Sequence, residues 1–161
     1  MSKIKLKKKK PAAKGKALKP KVRRARLLVV DDEADFVKLI QAILAKEGYW
    51  VDTATSAAEA IALQRKNTYD VALVDLRMPE MTGLELLQYL KTHDKSIFVI
   101  LMTAYGSFSV GIEALRQGAC DYVSKPFKNK VLKEKVSEAI DRRTHYLEEQ
   151  QTIRHSSVDE L

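Results

Sequence analysis

The chain has 161 residues, 45% of them hydrophobic, which is room for one domain with a proper core and short extensions and too apolar for wholesale disorder. Its net charge of +8 is unevenly spread: residues 1–26 hold 13 of the 29 Lys and Arg and no acid, leaving 16 bases against 21 acids in the remainder. A single cysteine excludes an internal disulfide, no apolar run reaches the ~18 residues of a membrane span, and no signal-peptide core follows the basic start; no membrane insertion and a reducing, cytoplasmic location are expected.

Residues 1–25 are low in complexity and Lys-rich, with two prolines and one glycine. Such a segment cannot bury enough apolar surface to offset its ordering entropy, so a disordered basic tail is expected. Three readings stay open for it: a solvated arm, an anchor to nucleic acid or another anionic surface through residues 1–26, or a tail that folds back onto the acidic body. It contains no aromatic residue, so base stacking by the tail itself is unsupported.

From Arg26 onward, short apolar runs alternate with segments of helical period. The spacing predicts β1 over 26–31 and α1 over 34–47, with Phe36, Val37, Leu39, Ile40, Ile43 and Leu44 as its apolar stripe and Gly48 as its stop. A more polar, alternating β2 (49–53) suits a sheet edge. Ser56 with Glu59 reads as a capping box opening α2 (57–66). The unbroken run of β3 (70–75) is followed by α3 (83–92), begun at Gly83. Then come β4 (97–102), α4 (107–117, ended by Gly118), β5 (120–124) and α5 (128–149). In α5 the stripe of Val131 or Leu132, Val136, Ala139, Ile140 and Leu147 fades beyond Leu147. Strict alternation gives an α/β fold, a doubly wound five-stranded parallel sheet, and the apolar β3 and β4 suit its centre. That pattern agrees with a flavodoxin-like (βα)5 order 2-1-3-4-5. Cys120 reads as a small core hydrophobe, and His93, His145 and His155 as ordinary surface or helix residues.

Four strands end on chemistry. LLVVDD stops at Asp31 and Asp32, VALVD at Asp75, IFVILMT at Thr103, and ACDYVSKP reaches Lys125. Parallel strands converge at one edge, where ligands bind, so three acids, a hydroxyl and a lysine should meet there. Either Asp31 or Asp32 would also serve as an N-cap for α1, but the number of acids exceeds what a cap needs. Carboxylates crowded at ~4 Å repel by about 4 kcal/mol per pair at an effective dielectric near 20, a penalty that a bound divalent cation removes. A hard, oxygen-only donor set favours magnesium over zinc. Asp75 is then the nucleophile for phosphoryl transfer, forming an acyl phosphate.

At these residues the chain resembles a known family. LLVVDDE, VALVDLRMPEMTGLELL, VILMTAYG and GACDYVSKPF are similar, in type and order, to the response regulator receiver domain (CheY-like) of two-component signalling. In wording they resemble receivers of the nitrogen-regulator type. The resemblance covers residues 26 to about 146 and implies a receiver at 26–147, followed by a C-terminal extension or the start of a linker at 148–161. It implies Asp75 as phosphoacceptor, with magnesium held by Asp32 directly, Asp31 largely through water, Asp75 and the backbone carbonyl of Arg77. It implies Thr103 as the switch hydroxyl, Lys125 as partner of the phosphoryl group, Tyr122 as the aromatic side chain that turns inward, and a cis Lys125–Pro126 bond. The implied partners are a sensor histidine kinase or phosphotransfer protein, with a homodimer through the α4–β5–α5 face. Such a receiver transfers a phosphoryl group to itself and loses it, and is not otherwise an enzyme.

Arg77 and Tyr105 occupy two positions that vary in the family, each two residues past a site residue; both are large and would shield the acyl phosphate from water, favouring a longer-lived state. Gly106, Ser107 and Gly111 make the start of α4 a candidate mobile element. A phosphatase of the haloacid-dehalogenase type would need a second Asp where Arg77 stands, which counts against it. The output stays open between a receiver fragment of a DNA-binding transcriptional regulator and a single-domain regulator whose basic tail binds nucleic acid.

Overall fold

The structure, a computed structural model, describes residues 23–104 and 108–159. Ten elements alternate along it: β1 (Arg26–Val30), α1 (Ala34–Lys46), β2 (Trp50–Ala54), α2 (Ala57–Lys66), β3 (Val71–Asp75), α3 (Gly83–His93), β4 (Phe98–Thr103), α4 (Phe108–Arg116), β5 (Asp121–Ser124) and α5 (Asn129–Asp159). The five strands form one parallel sheet in the order β2-β1-β3-β4-β5, the expected flavodoxin-like arrangement. The polar β2 lies at an edge, and all five residues of β3 are buried, as a central strand covered on both faces requires.

Alternation along the strands divides the core in two. Leu28, Val30, Ala72, Val74, Val99 and Leu101 pack with Ala57 and Ala60 of α2, Leu86, Leu87 and Leu90 of α3, and Ala114 of α4. Leu27, Val29, Val71, Leu73, Ile100 and Met102 pack on the other face with Val37, Ile40 and Leu44 of α1 and Leu132, Val136 and Ala139 of α5. The period of two in the strands meets the period of 3.6 in the helices at both layers. Gly48 and Gly118 end α1 and α4 with φ of 93° and 103°, a region that costs a glycine little.

Several expectations need correction. Leu39 is 57% exposed, because the buried face of α1 is centred on Val37, Ile40 and Leu44 and leaves it on the flank. Neither Asp31 nor Asp32 caps α1: Glu33 holds the N-cap position, without a side-chain bond. At α2, Ser56 Oγ accepts from the Glu59 N–H as expected, but Glu59 bonds back to the Thr55 N–H, one residue earlier than a reciprocal box requires. A full capping box stands instead at α3, between Thr82 and Glu85. The last helix continues to Asp159, through the segment expected to be an extension, since its polar residues are good helix formers and no breaker intervenes. Arg23 to Ala25, assigned to the tail, already contact the body: Arg23 pairs with Asp70, and the Ala25 carbonyl accepts from Trp50 N–H at 3.0 Å. The rest of the basic tail, residues 1–22, lies outside the described residues.

Candidate functional site

The site assembles at the carboxyl edge of the sheet because each strand hands its last residue to it. Asp31 follows β1, and its N–H donates to the Ala54 carbonyl at 3.1 Å, so the ladder runs one residue past the strand and holds Asp31 inside the fold, wholly buried. Its Oδ1 accepts from the Glu33 N–H at 3.0 Å, tying the carboxylate to the start of α1. Asp32, next in the chain, is exposed. Asp75 closes β3 opposite Met102 and is 8% exposed. Behind it the Gly83 N–H donates to the Leu76 carbonyl at 2.9 Å, folding the start of α3 onto the strand end. A Cβ at position 83 would stand 2.3 Å from the Asp75 carbonyl oxygen, so this close approach requires glycine.

Thr103 ends β4 and is buried; its carbonyl accepts from the Lys125 N–H at 2.7 Å, so the backbone of the lysine is registered on the threonine. From there the Lys125 ammonium reaches back to donate to Asp31 Oδ2 and lies 3.4 Å from Asp75 Oδ1. The ammonium also sits 4.3 Å from the centroid of the Phe36 ring, which packs edge-on against Phe127. One oxygen from each of Asp31, Asp32 and Asp75 falls within 4.8 Å of the others.

The electrostatics follow from this crowding. Burial and the neighbouring Asp31 carboxylate push Asp75 above the ordinary carboxylate range, against the pull of Lys125. Burial alone would lower the Lys125 ammonium, but its bond to Asp31 and the charges of Asp31 and Asp75 outweigh that and hold it above its usual value. A cluster of three carboxylates with one ammonium keeps net negative charge, and its donors are all oxygen. That set fits a hard divalent cation such as magnesium. Asp31, Asp32 and Asp75 are the side chains able to hold it.

Tyr122, in β5, is half-buried with its ring against α4: a Cβ at Gly111 would lie 2.4 Å from the ring carbons Cε1 and Cζ. Gly111, one of the three residues named for a mobile start of α4, is buried within the helix and makes the notch that seats the tyrosine. Arg77 is exposed in the loop after β3, and the Lys125–Pro126 bond is cis. Tyr105, Gly106 and Ser107 lie outside the described residues. The contributions of Phe36 and Gly111 were missed in the sequence; an aromatic residue one turn into α1 after the acidic pair was the available signal for the first. Cys120, just before β5, is half-buried against the core, and burial pushes its thiol up to about 11. Among the described residues, no helix is long and apolar enough to cross a membrane.

With this geometry in place, comparison with known proteins is direct. The family model of the response regulator receiver domain matches residues 27–137, more than half of the chain. The transcriptional regulatory protein ZraR of Klebsiella oxytoca is 41% identical over 114 residues, which are 71% of this chain and 26% of that protein. The response regulator SaeR of Staphylococcus aureus is 38% identical over 135 residues, 84% of this chain and 58% of that one. Among solved structures, NtrX from Brucella abortus aligns with a TM-score of 0.76 at 28% identity, over 83% of this chain and 30% of that chain. A CheY-like receiver from Methanospirillum hungatei aligns at 0.72 and 32% identity, over 76% of this chain and 98% of that chain. The chain thus spans about a quarter of the length of ZraR and nearly the whole of an isolated receiver. Receivers take a phosphoryl group on an aspartate, act on an output through the face made by α4, β5 and α5, and are not enzymes in the ordinary sense. On the match of its motifs, its strand order and its acidic crevice, the chain belongs to the response regulator receiver domain family.

Proposed function

We propose that Asp75 is the phosphoacceptor of this receiver and that Asp31, Asp32, Asp75 and the Arg77 backbone carbonyl hold magnesium beside it. The observation that carries this is the meeting of three carboxylates and one ammonium at a single strand-end crevice, within 4.8 Å among the acids and 3.4 Å from Lys125 to Asp75. An Asp75 carboxylate oxygen attacks phosphorus of a phosphohistidine on a sensor kinase or phosphotransfer protein. The P–N bond breaks, the imidazole leaves with its electron pair and takes a proton, and an acyl phosphate remains on Asp75. Magnesium, when bound, supplies charge neutralisation to the transferring oxygens. Lys125 turns from the carboxylates to the new phosphoryl oxygens, and the Thr103 hydroxyl donates to one of them. Because the Lys125 N–H is bonded to the Thr103 carbonyl, both respond together. Tyr122, seated on Gly111, carries the change to α4 and to the α4–β5–α5 face, through which a homodimer would form.

Residues 26–147 form the receiver in this reading, with 1–25 as a basic arm and 148–161 as a C-terminal extension or the start of a linker, in a cytoplasmic protein. Matches to transcriptional regulators support control of transcription as the output. The charge of residues 1–26 supports a second contact, with nucleic acid. The test is incubation with magnesium and a small phosphodonor, followed by intact-mass measurement. The wild-type chain gains one phosphoryl group, and Asp75→Asn gains none; a retained mass shift in Asp75→Asn sinks the assignment.

A further inference from the structure

The Lys125 ammonium rests on a ring as well as on carboxylates. Phe36, in the first turn of α1, has its ring centroid 4.3 Å from Lys125 Nζ, well inside the ~6 Å reach of a cation–π contact. The contact is closer than those of Lys91 with Phe98, Arg26 with Tyr69 and Arg24 with Trp50, which lie at 5.4, 5.6 and 5.7 Å. The Lys125 side chain is only 19% exposed, so the ring faces a partly desolvated charge, where such an attraction is strongest. Core packing alone does not explain the ring, because Val37, Ile40 and Leu44 supply the buried face of α1 while Phe36 stays half-buried on its flank. Phe127, two residues after Lys125 on the same loop, packs against that ring at 6.1 Å and 68°. The start of α1 is in turn bonded to Asp31, which accepts from the Glu33 N–H and from Lys125. Phe36 therefore touches the ammonium and, through Phe127, the loop that carries it.

We infer that Phe36 is a positioning residue for phosphoryl transfer to Asp75: its ring holds the Lys125 ammonium at the crevice while that ammonium exchanges carboxylate oxygens for phosphoryl oxygens. The inference rests on the reading of Asp75 as the phosphoacceptor. As an Asp75 oxygen bonds to phosphorus and the leaving group departs with its electron pair, negative charge passes from the carboxylate to the phosphoryl oxygens, and Lys125 has to follow it. Its bond to Asp31 and its 3.4 Å approach to Asp75 are directional and must loosen for that to happen. Attraction to a ring face has no single acceptor direction, so it persists while the oxygen partners change. A lysine stem is long and flexible; without the ring the ammonium would spend part of its time turned to solvent, and a misplaced group costs rate. A carboxylate or amide at position 36 would compete with the phosphoryl oxygens for the same N–H donors, and a ring face competes only weakly.

Graded removal of negative charge from the ring face tests this. In the full chain, Phe36 is replaced by mono-, di- and trifluorophenylalanine, which weaken the negative face of the ring and change its volume little. With magnesium and acetyl phosphate, the rate of mass gain should fall with each added fluorine, in total by about 2- to 30-fold, the range of one cation–π contact. Urea midpoints of the fluorinated chains should stay at the wild-type value. Phe36→Leu should lose at least as much rate. In the wild type the ring should shift the Lys125 ε-methylene protons upfield, and in Phe36→Leu they should return to the position of the other lysines. A flat fluorinated series returns Phe36 to packing and overturns the inference, even where Phe36→Leu is slow. A rate that falls only in step with the urea midpoint overturns it too, as does a wild-type Lys125 signal with no upfield shift. A wild-type chain that gains no phosphoryl group overturns the assignment of Asp75 and the inference together.

Discussion

Lys125 holds the acidic crevice together, and a double-mutant cycle with Asp75 measures how strongly. At an effective dielectric near 20, the Asp31–Asp75 repulsion is at least about 3.5 kcal/mol, their oxygens lying within 4.8 Å, and the Lys125–Asp75 attraction is about 5 kcal/mol at 3.4 Å. These two nearly cancel, so the burial of the Asp75 carboxylate decides the sign, and it is unfavourable, which is why Asp75 lies above its ordinary 3.8. In chelated, metal-free protein at pH 7, Asp75→Asn should therefore stabilise modestly. Lys125→Met alone should cost about 3–5 kcal/mol, since it leaves buried Asp31 and Asp75 side by side with no counter-charge. In that background Asp75→Asn should recover more than it gains in the wild type, with a coupling of about 2–5 kcal/mol. Urea unfolding of the four proteins gives the cycle. The pH sign follows from linkage. A carboxylate raised in the fold ionises first in the unfolded chain, so its penalty grows as pH rises through the interval above 3.8 and is absent below it. The advantage of Asp75→Asn should accordingly shrink on acidification. A destabilised Asp75→Asn at pH 7, an advantage that grows toward acid, or a coupling near zero would refute the balance of forces drawn here.

Three further outcomes are expected. Gly83→Ala places a methyl 2.3 Å from the Asp75 backbone oxygen, where no flexible side chain can give way; it should cost about 3 kcal/mol in urea unfolding and slow phosphorylation from a small phosphodonor. Gly111→Ala meets only the Tyr122 ring, which can move; its helix propensity gain of about 1 kcal/mol offsets the crowding, so stability should stay within about 1 kcal/mol while the Tyr122 ring resonances shift, and unchanged resonances would contradict the seating. Arg77→Ala opens the acyl phosphate to water and should shorten its half-life several-fold by mass measurement, whereas an unaltered half-life would remove Arg77 from that role.

What could be read from the sequence was what repeats locally. Apolar runs ending on Asp31, Asp75, Thr103 and Lys125 marked the strand ends, because period and punctuation are properties of neighbours in the chain. Choices among adjacent candidates were less legible. Either of two consecutive aspartates suits an N-cap, yet the Asp31–Ala54 ladder bond draws Asp31 into the fold and the position falls to Glu33, a residue type that N-caps do not favour. Leu39 is as hydrophobic as Leu44, yet its exposure depends on where α1 sits over β1 and β2. The end of α5 was placed where its apolar stripe fades, although the glutamates, glutamines and arginine that follow keep a helix going without burial. Phe36 under Lys125 joins residues far apart in the chain, and an aromatic residue soon after the acidic pair is its one local sign; the seating of Tyr122 on Gly111 has none.

The least legible feature organises the far edge of the sheet. Asp70, just before β3 and 4% exposed, accepts from the Arg26 N–H and from the Arg23 guanidinium at 2.6 Å each, and pairs with the Arg143 guanidinium at 2.8 Å. Arg143 also donates to the Ser96 carbonyl at 2.9 Å, so α5 is pinned near its middle to the edge away from Asp75. Yet α5 begins four residues after Lys125, at the edge that carries the chemistry. At 1.5 Å per residue the pin divides the helix into arms of about 21 and 24 Å. The first arm lies on the sheet through Leu132, Val136 and Ala139; residues 151–158 of the second are exposed. Two anchors, the ion pair at Arg143 and the buried stripe of Leu132, Val136 and Ala139, therefore set the direction of the first arm on the sheet, and the second arm leaves the body along the line that they fix.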